Sequence, residues 1–548
     1  MDRQSKRPAS ADGNGDDEPG RKPTPSSLTH PISPPTKKRR LATAVEDEKA
    51  AETRPTPSRL FRSPFKLTKI RDLPPELNRD TTTLKDILGD PLISECWEFN
   101  YLHDIDFLMA AFDPDVRGLV QVHVVHGFWK REDPSRLELQ AAASRYENVT
   151  LHNAYMPEMF GTHHSKMMIL LRHDDTAQIV IHTANMIVRD WTNMTQAVWL
   201  SPRLPLIKPA QQAVNQAEAR TGSGAKFKMD FLNYLRSYDT RKSTCKPIIE
   251  QLLRYDFSEI RASLIASVPG RHKFSENSPT RWGWAAMEEA LKAVPVSQAK
   301  SEIAIQISSI ATLGPTDSWL KDTFFRALSR GRRGTGPPSA PPDFKVVFPT
   351  PDEIRKSLDG YASGGSIHTK IQSPQQVKQL QYLRPMLCHW ANDSPHGVEL
   401  EAGAAVQEAG RKRAAPHVKT YIRYRGDGPP HGPITIDWAL LTSANLSKQA
   451  WGEAANAKTG EIRISSYEIG VLVWPELYAP GATMQATFLT DTLAEGERRD
   501  AAAAAATAVP LRVPYNLPLQ PYGKGEVPWV ATASYSERDW MGQVWRHG

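Results

Sequence analysis

The chain has 548 residues, 40% of them hydrophobic and 24% charged, with a net charge of +7. That length exceeds what one hydrophobic core usually supports, so two folded domains plus tails are expected. Only three cysteines occur, Cys96, Cys245 and Cys388, without CxxC or Cys/His spacing, which excludes a disulfide framework or zinc site and fits a reducing compartment. No apolar run reaches transmembrane length and no signal peptide opens the chain, so a soluble intracellular protein without a membrane partner is expected.

The charge is unevenly placed. Residues 1–66 carry 14 Lys/Arg against 9 Asp/Glu, which accounts for +5 of the total. This segment is rich in Pro, Ser, Asp, Lys and Arg and lacks apolar periodicity, so it reads as a disordered tail. Within it Pro35-Thr36-Lys37-Lys38-Arg39-Arg40 reads as a nuclear localisation signal, placing the protein in the nucleus.

Order begins near residue 67. Residues 84–112 show helical apolar spacing with aromatics and read as a core helix. Residues 119–126 read as a β-branched strand and 136–145 as a helix. A strand pair follows at 166–171 and 178–182, then a helix at 227–238 and a strand at 260–268 closed by Pro269-Gly270. A domain boundary is expected there, giving a first domain over 67–270 and a second over 271–548. The second half repeats the pattern, with strands at 303–310 and 344–348 and a helix at 318–329. Residues 393–415 and 495–509 read as mobile surface insertions. Strands interleaved with helices imply layered α/β architecture.

The stretch Phe160-Gly161-Thr162-His163-His164-Ser165-Lys166 sets His164 and Lys166 two apart at the start of an apolar strand. Residues at i and i+2 of a strand share a face, so an imidazole and an ammonium can enter one pocket. The pair recurs at His417 and Lys419. After Lys166 a strand and turn lead to Thr183-Ala184-Asn185, and after Lys419 they lead to Ser443-Ala444-Asn445. The first interval from His to Asn is 21 residues and the second 28, the extra seven falling in the Gly/Pro loop at 425–433. Each half thus offers His, Lys and Asn, followed by Gln196 in the first and Glu468 in the second. A third His-x-Lys, His368 and Lys370, lacks the following strand and the x-Ala-Asn echo and reads as an accidental match.

Two His-x-Lys motifs followed by Asn on duplicated halves resemble the phospholipase D superfamily. The Asp expected four residues after each Lys-x is replaced here by Leu171 and Tyr424. The variant with Asn in its place, and the blocks FGTHHSKMM, HTANMI, PHVKTY, LTSANLSKQAWG and SSYEIGVL, resemble the tyrosyl-DNA phosphodiesterase family. The resemblance implies two similar α-β-α sandwich domains related by pseudo-twofold symmetry. It implies hydrolysis of the bond between a DNA 3′ phosphate and tyrosine, as in topoisomerase I adducts, and of related 3′ blocking groups, without metal or other cofactor. By the same resemblance His164 is the nucleophile and His417 the general acid/base. Lys166, Lys419, Asn185 and Asn445 bind phosphoryl oxygens. Gln196 and Glu468 support the imidazoles, with the pairing left open.

Further residues match the family's substrate contacts. Phe160 corresponds to an aromatic that stacks on a base, and Ser309 and Thr312 to hydroxyls on DNA phosphates. Lys448, Ser366, Tyr101 and Trp529 are the remaining candidates, Tyr101 near the leaving peptide, with a buried helix aromatic as its preferred alternative reading, and Trp529 along the same groove. The expected partners are DNA, single-stranded or double-stranded with a modified 3′ end, and a topoisomerase I-derived peptide, bound by a monomer. A general phospholipase D-type nuclease or lipase and a catalytically inactive DNA-binding relative are the alternatives. The missing Asp residues count against the first, and retention of all eight site residues against the second.

Overall fold

Strands that bury both faces need cover on both sides, and this requirement shapes the molecule. The computed structural model describes residues 61–547 except 209–218, 240–242, 333–339, 401–404, 426–431, 497 and 499–506. The basic cluster at 35–40, the alanine run at 501–506 and most of the loop expected to lengthen the second hairpin lie outside these residues. The first sheet comprises β1 (Phe65–Leu67), β2 (Ile93–Phe99), β3 (Gln121–His126), β4 (Val149–Asn153), β5 (Met167–Arg172), β6 (Thr176–His182), β7 (Ala197–Leu200) and β8 (Leu204–Pro205). Their order is β1-β7-β6-β5-β2-β3-β4, with β8 on β6. The second sheet begins with β9 (Ser263–Ser267). A two-stranded ribbon joins β10 (Gly270–His272) to β16 (Ile462–Ile464). The second sheet continues with β11 (Glu302–Gln306), β12 (Asp343–Val347), β13 (Leu387–Cys388), β14 (Thr420–Arg425), β15 (Thr435–Thr442), β17 (Glu468–Val473), β18 (Thr483–Thr487) and β19 (Ala508–Arg512).

The order β13-β12-β11-β14-β15-β17-β9 retraces the first sheet strand for strand. In each, three parallel strands meet an antiparallel pair, β5/β6 or β14/β15, that follows a His-x-Lys motif. The repeat seen in the motifs therefore extends to the topology. Alternation along the strands supplies the layers. Met167, Ile169 and Leu171 of β5 share one core with Ile436, Ala439 and Leu441 of β15 and with Ile469 and Val471 of β17, so the two sheets face each other across it. On the outer faces, Met168 and Leu170 pack with Leu84, Ile105 and Leu108 of two short helices. Trp438 and Leu440 likewise pack with Met287, Leu291, Leu320 and Phe324. The result is two mixed α/β halves around a common apolar centre. Leu171 and Tyr424, which stand where the wider superfamily has Asp, are buried in that centre.

Four expectations change. Residues 84–112 form not one helix but helix Leu84–Leu88, strand β2 and helix Ile105–Ala111. Gly89 caps the first helix through its N–H to Lys85 O, and β2 then pairs on both sides, with β3 and β5. Sheet pairing overrides the helical spacing of the aromatics. Strand β9, assigned to the first half from the sequence, hydrogen-bonds to β17. It occupies the place in the second sheet that β1 holds in the first, so the chain enters the second sheet before residue 270. Strand β1 in turn begins within the expected tail, and Ser63 N–H donates to Asp491 O at 2.8 Å. The described part of segment 393–415 after residue 404 is anchored: Ala409, Arg411, Ala414 and Ala415 are buried, and Gln407 exchanges backbone bonds with Leu517. It delivers the chain to His417.

Candidate active site

The extended backbone before β5 sends alternate side chains to opposite faces. His163 and Ser165 point inward, where His163 contacts Asn100 O and the Tyr238 hydroxyl and Ser165 contacts the hydroxyls of Tyr234 and Tyr238. His164 and Lys166 take the other face, as strand spacing requires.

Each motif is then stitched to the opposite half. His164 N–H donates to Tyr467 O at 3.0 Å, and Tyr467 N–H to Thr162 O at 3.0 Å. The symmetric contact joins His417 N–H to Thr195 O at 3.1 Å and Thr195 N–H to Ala415 O at 2.9 Å. Tyr467 precedes Glu468 and Thr195 precedes Gln196, so these backbone bridges also position the supporting side chains. The support is crossed. His164 Nδ1 lies 2.9 Å from Glu468 Oε2, while His417 Nδ1 lies 2.9 Å from the Gln196 amide nitrogen and 3.3 Å from its oxygen. Thr183 Oγ1 donates to Gln196 Oε1 at 2.8 Å and Ser443 Oγ to Glu468 Oε2 at 2.5 Å, so the residues opening the two x-Ala-Asn echoes fix the supports. With Nδ1 occupied on each ring, Nε2 is the nitrogen left for chemistry.

His164, His417, Asn185, Asn445 and Glu468 line one cavity of about 250 Å³ together with Tyr101, Ser308, Ser309, Ser366, His368, Ser447 and Gln449. Lys166 and Lys419 are fully buried. Burial lowers the Lys166 ammonium to about 8, against the opposing pull of Glu468, Asp190 and Glu98. Lys419 is driven well below the usual lysine range by burial and by Lys166, and its Nζ donates to His417 O. Both imidazoles are held below their ordinary value. Burial is the main cause for His164, with Glu468 pulling the other way; for His417 burial is reinforced by Lys419, Lys166, His164 and His368. These surroundings favour neutral rings.

The two asparagines are held differently. Asn445 Oδ1 accepts from the N–H groups of Ser308 and Ser309, both at 3.0 Å, which turns its NH₂ to the cavity. Asn185 instead donates from its backbone N–H at 2.7 Å and its Nδ2 at 3.0 Å to Asp190 Oδ2. The same Asp190 oxygen is 3.2 Å from His417 Nδ1. Asp190 was not singled out from the sequence, although aligning the two copies beyond their asparagines exposes it. Ser308, Ser447 and Gln449 were likewise missed: Ser308 lies just after β11, while Ser447 caps the short helix Lys448–Trp451 and Gln449 lies within it.

Of the expected substrate contacts, Ser309, Ser366 and Tyr101 line the cavity. Tyr101 stands on the loop after β2, 38% exposed, its ring 5.8 Å from that of His164. Thr312 lines an adjoining cavity with Ser309, His368, Lys370 and Gln376. Phe160 is 74% exposed at the edge of its loop. Lys448 places Nζ over the Trp319 ring, 6.0 Å from its centroid, outside the cavity lining. Trp529 does not line the groove. It is fully buried, its Nε1–H donates to Gly364 O and Ile367 O at 3.0 and 3.1 Å, and it stacks on Tyr535 and Tyr361. It thus props the Gly-Gly-Ser turn carrying Ser366 from below. His368, whose motif looked accidental, lines both cavities because a backbone bridge joins it to Ser309.

Comparison with known proteins agrees with this geometry. The sequence profile described as tyrosyl-DNA phosphodiesterase matches residues 64–523. The chain is similar to a probable tyrosyl-DNA phosphodiesterase of Schizosaccharomyces pombe, 31% identical over 91% of this chain and 99% of that one. It is also similar to tyrosyl-DNA phosphodiesterase 1 of Arabidopsis thaliana, 30% identical over 92% and 80% respectively. In fold it resembles the crystal structure of the yeast tyrosyl-DNA phosphodiesterase, with a TM-score of 0.57 at 21% identity, over 85% of this chain and 98% of that one. The chain belongs to the tyrosyl-DNA phosphodiesterase family.

Proposed function

We propose that this phosphodiester hydrolase cleaves the bond between a DNA 3′ phosphate and tyrosine, or a related 3′ blocking group, through a covalent phosphohistidine. The observation that carries the reading is the crossed pair of imidazoles. His164 and His417 each have Nδ1 engaged by a side chain of the other half and open onto one cavity shared with Asn185 and Asn445. In the first step the His164 Nε2–phosphorus bond forms as the bond to the tyrosyl oxygen breaks, and His417 Nε2–H delivers a proton to that oxygen. In the second, His417 takes a proton from water as its oxygen attacks phosphorus, releasing His164 and a 3′ phosphate. The Asn445 and Asn185 amides and the two buried ammonium groups meet the charge on the non-bridging oxygens, which is where transition-state stabilisation acts in phosphoryl transfer. The pseudo-symmetric site does not by itself tell nucleophile from acid; family resemblance supplies that assignment.

The finer features are part of the same proposal. Both half-sites come from one chain, which suits a monomer. Tyr101 faces the leaving peptide, as from topoisomerase I, and Phe160 stacks on a base. The basic cluster at 35–40 directs the protein to the nucleus.

An oligonucleotide ending in 3′ phosphotyrosine, incubated with the protein and excess chelator, tests the reading. Conversion to a 3′ phosphate is expected. Binding without conversion identifies an inactive DNA-binding relative, and lipid turnover without oligonucleotide processing identifies a phospholipase.

A further inference from the structure

His368 and Lys370 repeat the spacing of the two reacting pairs, yet no step above calls on them. Their segment runs beside the loop after β11, where His368 N–H donates to Ser308 O at 2.8 Å and Ile310 N–H to His368 O at 2.9 Å. Along the other edge of that loop, Ala311 N–H donates to Leu446 O at 3.2 Å and Leu446 N–H to Ser309 O at 3.3 Å. Residues 308–311 are therefore held between the segment carrying Asn445 and the one carrying His368. Exposure alternates along the latter: Ile367 and Thr369 are buried, while His368 and Lys370 are exposed. An imidazole and an ammonium again share one face, as in the other two pairs.

That face lines a cavity of about 230 Å³ with Thr312, Thr369 and Gln376. It adjoins the reaction cavity, since Ser309, Ala311, His368 and Gln449 line both. No carboxylate lines the adjoining cavity, whereas Glu468 lines the first. Gln376 lies in the first turn of helix Pro374–Leu383, so the partial positive charge of that helix end is near the same cavity. Among the described residues, neither Lys370 nor the His368 ring has a hydrogen-bond or ion-pair partner in the protein. The cavity thus gathers an unpaired ammonium, an imidazole that offers an N–H in either protonation state, and several hydroxyls and amides. Nothing in its lining repels an anion.

We infer that His368 and Lys370 are substrate-binding residues that hold the first internucleotide phosphodiester of the DNA strand while its 3′ phosphate lies between His164 and His417. The inference rests on the function proposed above. Of the two chains joined at the scissile phosphate, only the DNA strand carries an anion at every unit, and a donor-lined cavity without carboxylates suits that repeat rather than a peptide. Because the two cavities share a wall, the next phosphate along the strand enters the second as the 3′ phosphate fills the first. Thr312 brings a hydroxyl to the same place; His368 and Lys370 bring the charged and ring donors that the hydroxyl lacks. A contact made away from the reacting atoms is equally strong before and during bond cleavage, so it acts on affinity and leaves the chemical step alone.

The test measures, by fluorescence anisotropy, binding of single-stranded oligonucleotides ending in a 3′ phosphate to the full-length wild type, Lys370→Ala and His368→Asn. One neutral methylphosphonate is placed in turn at the first, second or third linkage from the 3′ end. Lys370→Ala is expected to weaken binding of the unmodified strand about tenfold or more, the size of one charge-assisted contact. It should also lower the slope of log Kd against log salt by about 0.7, the value for one phosphate of a single strand. The methylphosphonate at the first linkage should weaken the wild type by a similar factor and Lys370→Ala no further, while at the other linkages the two losses multiply. His368→Asn should show the same pattern with a smaller loss. Single-turnover cleavage of a saturating 3′ phosphotyrosyl strand should change less than about threefold, because the contact is uniform in ground and transition states. Losses that multiply at every linkage, coupling at a linkage other than the first, an unchanged salt slope, or a slower saturating rate at unchanged Kd overturns the inference. Lys370 is exposed, so Lys370→Ala should keep the wild-type melting transition; if it does not, Lys370→Gln enters the same comparison with the same criteria. The coupled binding pattern in a wild type that leaves the phosphotyrosyl strand intact overturns the proposed function and not the phosphate site, whereas conversion without that pattern overturns the site alone.

Discussion

Glu468 Oε2 sits 2.9 Å from His164 Nδ1 although 304 residues separate them in sequence. The carboxylate turns the ring so that Nε2 faces the cavity and supports positive charge on the imidazole as the phosphorus bond forms. Glu468→Gln keeps the shape but removes the charge. A charge-assisted bond contributes about 1.5–3 kcal/mol, so adduct formation should slow roughly 10- to 100-fold, with KM little changed. Rapid quenching of the enzyme with a 3′ phosphotyrosyl oligonucleotide measures this directly; an unaltered rate contradicts the role given to the pair.

Replacing His417 by Asn removes the base that activates water while leaving the nucleophile intact. The covalent enzyme–DNA adduct should then persist about 10²- to 10⁴-fold longer and be visible on a denaturing gel. His164→Ala should form none. Accumulation in the His164 variant instead reverses the assignment of nucleophile and acid.

Phe160 is exposed and contributes little to the core. Phe160→Ala should therefore leave the melting temperature unchanged and raise KM for single-stranded substrate by about 1–3 kcal/mol, the contribution of base–aromatic stacking, with kcat retained. A drop in thermal stability without a change in KM shows a packing role instead.

Trp529 should behave in the opposite way. Its indole is fully buried and bonded to the carbonyls of Gly364 and Ile367. Trp529→Ala should cost about 3–5 kcal/mol of stability, as large aromatic truncations do. Trp529→Phe, which deletes the N–H beneath the Ser366 turn, should cost about 1–3 kcal/mol. Denaturant titration distinguishes this from direct DNA contact, for which binding would weaken while stability held.

Stability should fall on acidification. Burial lowers His126, His163 and His182 to about 3. The unfolded chain protonates these groups below about 6.5 while the folded protein does not, so folding loses about 1.4 kcal/mol per pH unit for each between pH 6.5 and about 3. Asp491, raised to about 6 by burial, pulls the other way by one proton below that pH. The net slope remains destabilising, and the urea midpoint should be clearly lower at pH 5 than at pH 7. An unchanged midpoint means that these rings are charged in the fold.

What the sequence determined by itself is local and repeated. Strand period places His164 and Lys166 on one face, and the duplicated x-Ala-Asn echoes pick out Asn185 and Asn445 because each motif and its hairpin are short-range features. The two-half organisation follows from the same repeat. Only the tertiary structure decided what depends on distant segments meeting. The crossed support of His164 by Glu468 and of His417 by Gln196 arises from backbone bridges at Tyr467 and Thr195, which no spacing encodes. Sheet pairing made a strand of Ile93–Phe99, and it set β9 in the second sheet. His368 reached the cavity through a bridge to Ser309, while Trp529 left the groove because its N–H found carbonyls inside the core. Asp190 is the intermediate case. Its place opposite Ala450 was readable from the repeat, but its 3.2 Å approach to His417 depends on the two halves being packed face to face.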